Sequence, residues 1–337
     1  MVDSGQESDD EALFRLMVGC RYTQTLYVVA KLGIADRLSG GPKDAATIAR
    51  EVGARPDSLF RVLRALASVG VFTQDASDRF ALGPLGQFLR SDGKRSLAPY
   101  AVFGGEENYR AWGDLLHAVT TGETPFDHVF GMHHFEYLAR NPEASATFNA
   151  SMAASSQLSG YAFDGYDFSG HRIVLDVGGG RGALLGSILS EHPRLRGILY
   201  DLPAAVAEAP SHLASMGVAD RCEIRTGSAF EAIPSGADLY VMSRLLHDFP
   251  DERAALLLRN CRAAIPHDGV LLIREGVLPS GPCPPRRAFL DLEMLVMNGG
   301  RERTETEWRS LLTRTGFGLQ RVIGGGRMQD LLEATSL

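Results

Sequence analysis

The stretch VLDVGGGRG, residues 174–182, decides how this chain is read. A short apolar run ends in an aspartate and then breaks into glycines, the pattern of a buried strand turning into a helix. Such a loop lets backbone amides close on a ligand, and the helix N-terminus behind it favours electron-rich groups. A second acid, Asp201, ends the next apolar run, GILYD at 197–201. There a carboxylate can accept both hydroxyls of a ribose. Loop and acids together describe a site for a nucleotide-like ligand.

Two ligands suit it. Read as GxGxx(G/A), Gly178, Gly180 and Ala183 match the dinucleotide fingerprint, with Asp201 about 20 residues further on. Read as (D/E)xGxGxG, Asp176, Gly178, Gly180 and Gly182 fill the S-adenosylmethionine loop completely. Chemistry separates the two. A dinucleotide needs a turn open to pyrophosphate, whereas a sulfonium with an amino-acid tail is attracted by a carboxylate near its cationic end. Asp176 favours the sulfonium. A plain tight turn is the usual reading of a glycine cluster after a strand, but it leaves both acids without a role.

At 337 residues there is room for about two domains. The content, 45% hydrophobic and 22% charged, is ordinary for a globular protein. A net charge of −7 argues against nucleic-acid binding, because neutralising phosphates takes a basic surface. Cys20, Cys222, Cys261 and Cys283 lie far apart without CxxC spacing, so neither a disulfide framework nor a zinc site is indicated. The N-terminus MVDSGQESDDEALF is acidic where a secretion signal would be basic and then apolar, and no apolar run approaches ~18 residues. A soluble, cytoplasmic protein without membrane contact is the expectation.

Residues 11–32 form an amphipathic helical pattern with more apolar positions than one modest core face uses, so this helix is expected to pack on a partner. DAATIAREVGA (44–54) and PDSLFRVLRALASVGVF (56–72) read as two helices joined by a short turn. TQDASDRFAL (73–82) reads as a turn between extended runs, and the whole has the pattern of a winged helix. DNA binding through Arg61 and Arg64 is its sharp reading. The second helix also buries Leu59, Phe60, Val62, Leu63 and Leu66, and the chain is acidic, so dimerisation or substrate capping is favoured. Residues 97–166 look mainly helical, their aromatic and Met positions more often core than ligand contacts. From residue 172, apolar runs at 173–177, 198–200, 222–225, 239–242 and 270–273 alternate with helical stretches. This is the signature of a parallel sheet in a doubly wound α/β domain. Residues 319–323 and 328–334, around the glycines at 324–326, read as an antiparallel hairpin at its edge. The expected division is 1–97, 98–165 and 166–337.

Ligands of such sheets sit at the carboxyl ends of the strands, which puts the glycine loop, Asp201, Ser228, His247 and Glu275 on one rim. His247 lies just past a strand in SRLLHDFPDE (243–252), and Glu275 ends the next strand in LLIREGVLP (271–279). A histidine there can act as general base, and a nearby carboxylate fixes its tautomer and raises its basicity. A lone histidine is more often structural; the strand-end position beside Asp248 favours catalysis. Glu302, between arginines in NGGRERTETEW (298–308), precedes a helix beginning near Thr304 and is open to a blander reading as a capping or salt-bridged surface acid.

These stretches, with YDLP (200–203), resemble the small-molecule O-methyltransferases that include plant caffeate and flavonoid enzymes and bacterial antibiotic-tailoring enzymes, over nearly the whole chain. The resemblance implies a Rossmann-like class I methyltransferase domain with a mostly parallel seven-stranded sheet. It also implies an N-terminal, mainly helical winged-helix domain through which members form homodimers. The implied cofactor is S-adenosylmethionine, converted to S-adenosylhomocysteine. Its implied contacts are Asp176, Gly178, Gly180, Asp201, Leu202, Ser228, Ala229, Phe230, Ser243, Arg244 and Phe249. His247 is the implied base, bracketed by Glu275 and Glu302. Phe148, Met152, His134, Glu293, Met294 and Asn298 are the implied lining of the acceptor pocket.

Three departures from the plant pattern matter. Gly227, Ser228, Ala229 and Phe230 stand where plant enzymes have GDMF or GDFF, so a charged adenine contact is lost, although Ser228 can make one hydrogen bond. Phe249 replaces a tryptophan and can stack without donating. Glu293 stands where plant enzymes carry an aliphatic residue, and an acid facing an aromatic acceptor is costly unless paired. That points to a polar or basic group on the acceptor, or to an arginine partner such as Arg287. No ligand cluster near His247 suggests a metal. A phenol has a pKa near ~10, so the expected reaction is removal of its proton by His247 and in-line methyl transfer to a phenolic natural product. Two other functions use the same residues: a non-methylating relative that keeps the cofactor for hydroxylation, decarboxylation or cyclisation, and a winged-helix regulator sensing a small molecule. The retained His247, Glu275 and Glu302 argue against the first, and the acidic balance against the second.

Overall fold

The pattern expected to be one helix over 11–32 is two helices in the computed structural model, which describes residues 7–93, 95–159, 163, 165–324 and 329–337. These are α1 (Asp9–Met17) and α2 (Gly19–Lys31). Val18 leaves helical geometry at φ −93° and ψ 7°. A β-branched residue followed by glycine is the weakest helix-forming pair in the stretch, so the break falls there. A short α3 (Ile34–Arg37) and strand β1 (Lys43–Asp44) lead to α4 (Ala45–Val52) and α5 (Pro56–Ala67), then β2 (Phe72–Gln74) and β3 (Arg79–Leu82).

Asp44 caps α4 by accepting from the Thr47 amide at 2.8 Å, and Pro56 opens α5 at a position where no amide is needed. Leu59, Leu63 and Leu66 line one face of α5 and are buried with Ile34, Ile48, Phe72 and Phe80. With the antiparallel sheet β1-β3-β2 beside it, this is the expected winged helix. Arg61 and Arg64 are exposed, while Phe60 and Val62 are only half-buried.

The helical stretch follows as α6 (Ala98–Gly105), α7 (Glu107–Trp112), α8 (Leu115–Thr121), α9 (Pro125–Phe130), α10 (His134–Arg140) and α11 (Pro142–Ser159). The chain divides into two compact units, Met1–Asp114 with Met132–Gly160, and Leu115–Gly131 with Tyr161–Leu337. The segment 98–165 contributes to both.

In the second unit strands alternate with helices: β4 (Ile173–Val177), α12 (Ala183–Glu191), β5 (Arg196–Asp201), α13 (Ala209–Ser215), β6 (Cys222–Thr226), β7 (Leu239–Ser243), α14 (Asp251–Ala264) and β8 (Val270–Glu275). Then come β9 (Val277–Leu278), α15 (Pro285–Asn298), β10 (Arg303–Thr304), α16 (Glu305–Thr313), β11 (Phe317–Ile323) and β12 (Asp330–Ser336). The sheet order is β11-β12-β8-β7-β4-β5-β6. The strands from β8 to β6 run parallel, and β12 is antiparallel to both its neighbours. The expected hairpin is therefore present, although Gly325, Gly326 and Met328 lie outside the described residues. Leu185, Ile188 and Leu189 of α12 pack with Val174, Leu199 and Leu213 in one core. This is the mostly parallel seven-stranded sheet that the sequence led us to expect. Among the described residues no helix is long and apolar enough to cross a membrane.

Candidate active site

Five parallel strands end on one rim, at Val177, Asp201, Thr226, Ser243 and Glu275, and the sequence-derived residues of the second unit gather along it. The loop after β4 is built on left-handed glycines. Gly180 sits at φ +54° and donates its amide to Asp201 Oδ2 at 2.8 Å. A Cβ at Gly179 would lie 2.4 Å from Asp176 Oδ2, so no side chain fits there. Asp201 Oδ1 accepts the Leu202 amide at 2.7 Å. Each carboxylate oxygen of Asp201 thus already accepts one backbone amide, and the hydroxyls of a ribose would use the remaining lone pairs.

Asp176 is 1% exposed, and its Oδ2 has no hydrogen-bond partner among the described residues. Burial, and next the charge of Asp201, push its carboxyl up to about 7. Asp201 is also raised by burial, against the pull of the two amides. Two crowded acids beside a glycine loop favour a cationic ligand. The donor set thus fits a sulfonium and ammonium group better than a pyrophosphate.

Further along the rim, Ser228 Oγ accepts the Phe230 amide at 3.3 Å, closing its own turn. Asn260 from α14 donates to the carbonyls of Ala229 and Phe230, both at 2.9 Å. Phe230 and Phe249 meet edge to face at 4.9 Å, with the Arg253 guanidinium 4.4 Å above the Phe230 ring. Leu202 is exposed. Ser243 Oγ receives a bond from Arg274 at 3.4 Å, and Arg244 takes a left-handed φ of 51°.

His247 lies in a short turn, Leu246–Asp248, just past β7. Its Nδ1 is 2.7 Å from Glu302 Oε1 and 3.4 Å from Glu275 Oε2, and its Nε2 is 3.8 Å from Asp248 Oδ1. All three of His247, Glu275 and Glu302 are buried, which corrects the surface reading of Glu302. Glu275 Oε1 accepts the amides of Leu245 and Leu246 at 2.9 Å, tying β8 to the histidine turn. Burial works against the charged imidazole, but Glu275 and then Glu302 outweigh it and hold His247 up to about 10. Burial raises Glu275 and Asp248 as well. Ligand atoms of His247, Glu275 and Glu302 lie within 4.8 Å of one another, a grouping expected from the resemblance as a base and two acids and not as a metal site. The Nδ1 bond to Glu302 engages the nitrogen a cation would need.

Asp291, a residue that sequence reasoning missed, helps to hold this arrangement. The Glu302 amide donates to Asp291 Oδ1 at 2.8 Å. Asp291 precedes Met294 and Asn298 by three and seven residues on α15, and that spacing places all three on one helix face. Asn298 Nδ2 donates to Asp248 Oδ1 at 2.7 Å, so its side chain is engaged within the site itself. Arg287 binds Asp330 and the Val277 carbonyl, which corrects its proposed pairing with Glu293. Met294 is buried and Glu293 half-buried. Phe148, Met152 and His134 belong to the first unit. Phe148 and Met152 lie one turn apart on α11, and the His134 ring meets Phe148 perpendicularly at 5.1 Å.

Comparison with known proteins agrees with this geometry. An O-methyltransferase dimerisation domain matches residues 14–92 and an O-methyltransferase domain matches residues 112–318. The chain is 45% identical over 323 residues to a phenazine O-methyltransferase of Lysobacter antibioticus, covering 96% of this chain and 95% of that protein. The crystal structure of LaPhzM superposes with a TM-score of 0.93 at 44% identity, over 97% of this chain and 99% of the other. That of NcsB1, an O-methyltransferase from neocarzinostatin biosynthesis in complex with S-adenosylmethionine and 2-hydroxy-5-methyl naphthoic acid, gives 0.84 at 31% identity, over 96% and 98%.

Proposed function

The chain belongs to the O-methyltransferase family that carries an N-terminal dimerisation domain, and from that premise we propose that it methylates a phenolic oxygen of an aromatic natural product, with His247 as general base. The observation that carries this reading is the short contact from His247 Nδ1 to Glu302. A proton on Nδ1, given to Glu302, leaves the lone pair on Nε2 to take the acceptor's proton.

S-adenosylmethionine, when bound, supplies an electrophilic methyl group on a sulfonium. Asp176 and Asp201 would hold the cofactor by their charge and hydrogen-bonding capacity, and the amides at the start of α12 would be available to its polar tail. His247 then receives the hydroxyl proton. With the imidazolium held up to about 10 and a phenol near ~10, proton transfer to the free base is close to balanced, and below that pH the fraction of free base sets the rate. Glu275 and Glu302 stabilise the charge that forms. Within the second unit, Glu293, Met294 and Asn298 line the acceptor site in this reading. The aromatic acceptor is supported by the phenazine and naphthoic acid chemistry of the relatives. A homodimer is supported by the dimerisation domain and by the apolar residues exposed on α1.

The test is to incubate methyl-labelled S-adenosylmethionine with phenols, hydroxyphenazines, hydroxynaphthoates and their unhydroxylated carboxylic acids, and to read the products by mass. Label on a phenolic oxygen is expected. Label on the carboxylic acids alone overturns the phenol, and cofactor binding without any transfer supports a non-methylating relative.

A further inference from the structure

Arg303 is wholly buried, yet its guanidinium is filled with partners. Nη1 donates to the carbonyl of Leu246 at 3.2 Å and to that of Arg301 at 3.3 Å, and Nη2 donates to the carbonyl of Phe249 at 3.0 Å. Nε donates to Asp251 Oδ1 at 3.0 Å, which balances the charge, and the Trp308 ring lies 5.2 Å from the guanidinium carbon. A buried cation is costly unless its donors are satisfied and its charge is met. Here the satisfying atoms are not scattered through the core. Leu246 opens the histidine turn and Phe249 directly follows it, and Arg301 immediately precedes Glu302.

We propose that Arg303 is a positioning residue that sets the contact between His247 and Glu302, one planar guanidinium holding the turn of the base against the turn of its acid. The proposal rests on the reading of His247 as general base. Geometry favours arginine over any other residue, since a planar fork spans three carbonyls that a single ammonium cannot. Other contacts keep the two segments docked without it. The Arg301 amide donates to the His247 carbonyl at 2.9 Å. A Cβ on Gly300 would lie 2.0 Å from that same oxygen, so the chains meet as closely as glycine permits. Pairing of Arg303 with Val277 joins β10 to β9, just past Glu275. Replacement of the guanidinium therefore shifts the two turns by fractions of an ångström rather than releasing them.

The experiment is Arg303→Lys in the full-length protein, with the His247 ring followed by nitrogen NMR as pH is varied, with and without S-adenosylhomocysteine. The signal is identified by its loss in His247→Ala. Glu275, Glu302 and Asp248 are the charged groups that face this ring. Loosening of Glu302 should lower the His247 midpoint by a pH unit or more. It should also lower kcat about 10- to 100-fold, as misplacement of a catalytic group does, while cofactor affinity stays within about twofold. If Arg303→Lys does not fold, Asp251→Asn loosens the same guanidinium from its solvent side and must move the midpoint in the same direction by less. An unmoved midpoint in the variant that folds overturns the proposal. The midpoint is read without turnover, so it stands apart from the base reading, which fails separately if His247→Ala retains full activity.

Discussion

Glu302 Oε1 lies 2.7 Å from His247 Nδ1 across 55 residues of sequence, and both side chains are buried. At that distance and burial the pair is a charge-assisted hydrogen bond, stronger than its neutral counterpart. Glu275 sits 3.4 Å from the same nitrogen while its other oxygen is held by two amides. One glutamate thus bonds the imidazole while the other adds charge without competing for the proton.

His247→Ala should lower kcat by roughly 10² to 10⁴, the usual worth of positioned proton transfer, and leave cofactor affinity close to normal. The loss should ease above pH 9, where the phenol ionises unaided. Steady-state rates and calorimetric titration with S-adenosylhomocysteine check both halves. An undiminished rate at neutral pH would mean that the acceptor arrives ionised, as a carboxylic acid would.

The pH dependence has a definite sign. His247 is raised from its ordinary 6.5 to about 10, so the free base grows about tenfold per pH unit below that value, and the wild-type rate should climb through pH 7 to 9. In Glu302→Gln the rise should occur at lower pH, with a lower plateau. Stability follows the same linkage. The folded value lies above the unfolded one, so the stabilisation is full below about 6.5 and is lost as pH rises through 10. The deficit of Glu302→Gln in chemical denaturation should therefore be larger at pH 6 than at pH 10.

Much of this site was legible because strand-end acids and glycine turns are local signals. VLDVGGGRG, GILYD and the strand before His247 each announce themselves within ten residues. The burial of Glu302 was not legible, because it depends on partners 55 and 11 residues away, His247 and Asp291. Arg303 stood in the quoted motif as one arginine among several, and nothing in its immediate neighbours marks it as the buried one. The helix break at Val18 escaped for another reason. Apolar periodicity runs straight across it, and the valine and glycine that interrupt it cost too little individually to stand out.

Asp176 links the cofactor to stability. Its carboxyl is raised from 3.8 to about 7 by burial and by Asp201, so the empty protein should lose stability as pH rises through 7. Asp176→Asn should remove that dependence and stabilise the empty protein at pH 8 by about 1–3 kcal/mol, the scale of an unsatisfied buried polar group. The same change should weaken S-adenosylmethionine binding. Denaturation and calorimetry on one preparation decide it, and a variant less stable than wild type at pH 8 would show that the carboxylate is satisfied in a way the geometry does not reveal.

Asp201→Ala should weaken cofactor binding more strongly than any change at Ser228, because in the proposed reading Asp201 would take the ribose hydroxyls, and it also fixes the Gly180 amide. Two functions disappear with one side chain. Ser228 satisfies its own turn through the Phe230 amide, so Ser228→Ala should cost at most about 1 kcal/mol of binding. Equal losses at the two positions, measured by calorimetry with S-adenosylhomocysteine, would place the main ribose contact elsewhere.

The last prediction concerns α1. Leu13, Phe14, Leu16 and Met17 are 59–72% exposed, and no residue of this helix is buried. A nine-residue helix is marginal in water without a surface to pack on. Burial of one such side chain contributes about 1.5–3 kcal/mol, so four together can anchor a helix on a second copy of the chain. The double variant Phe14→Asp with Met17→Asp should therefore convert a dimer into a monomer at micromolar concentration, read as a halved mass by light scattering. The far-UV signal should fall only by the share of this short helix. A wild-type protein that scatters as a monomer removes the dimer altogether. A double variant that keeps the dimeric mass would assign the interface to other residues and leave α1 to cover some other surface.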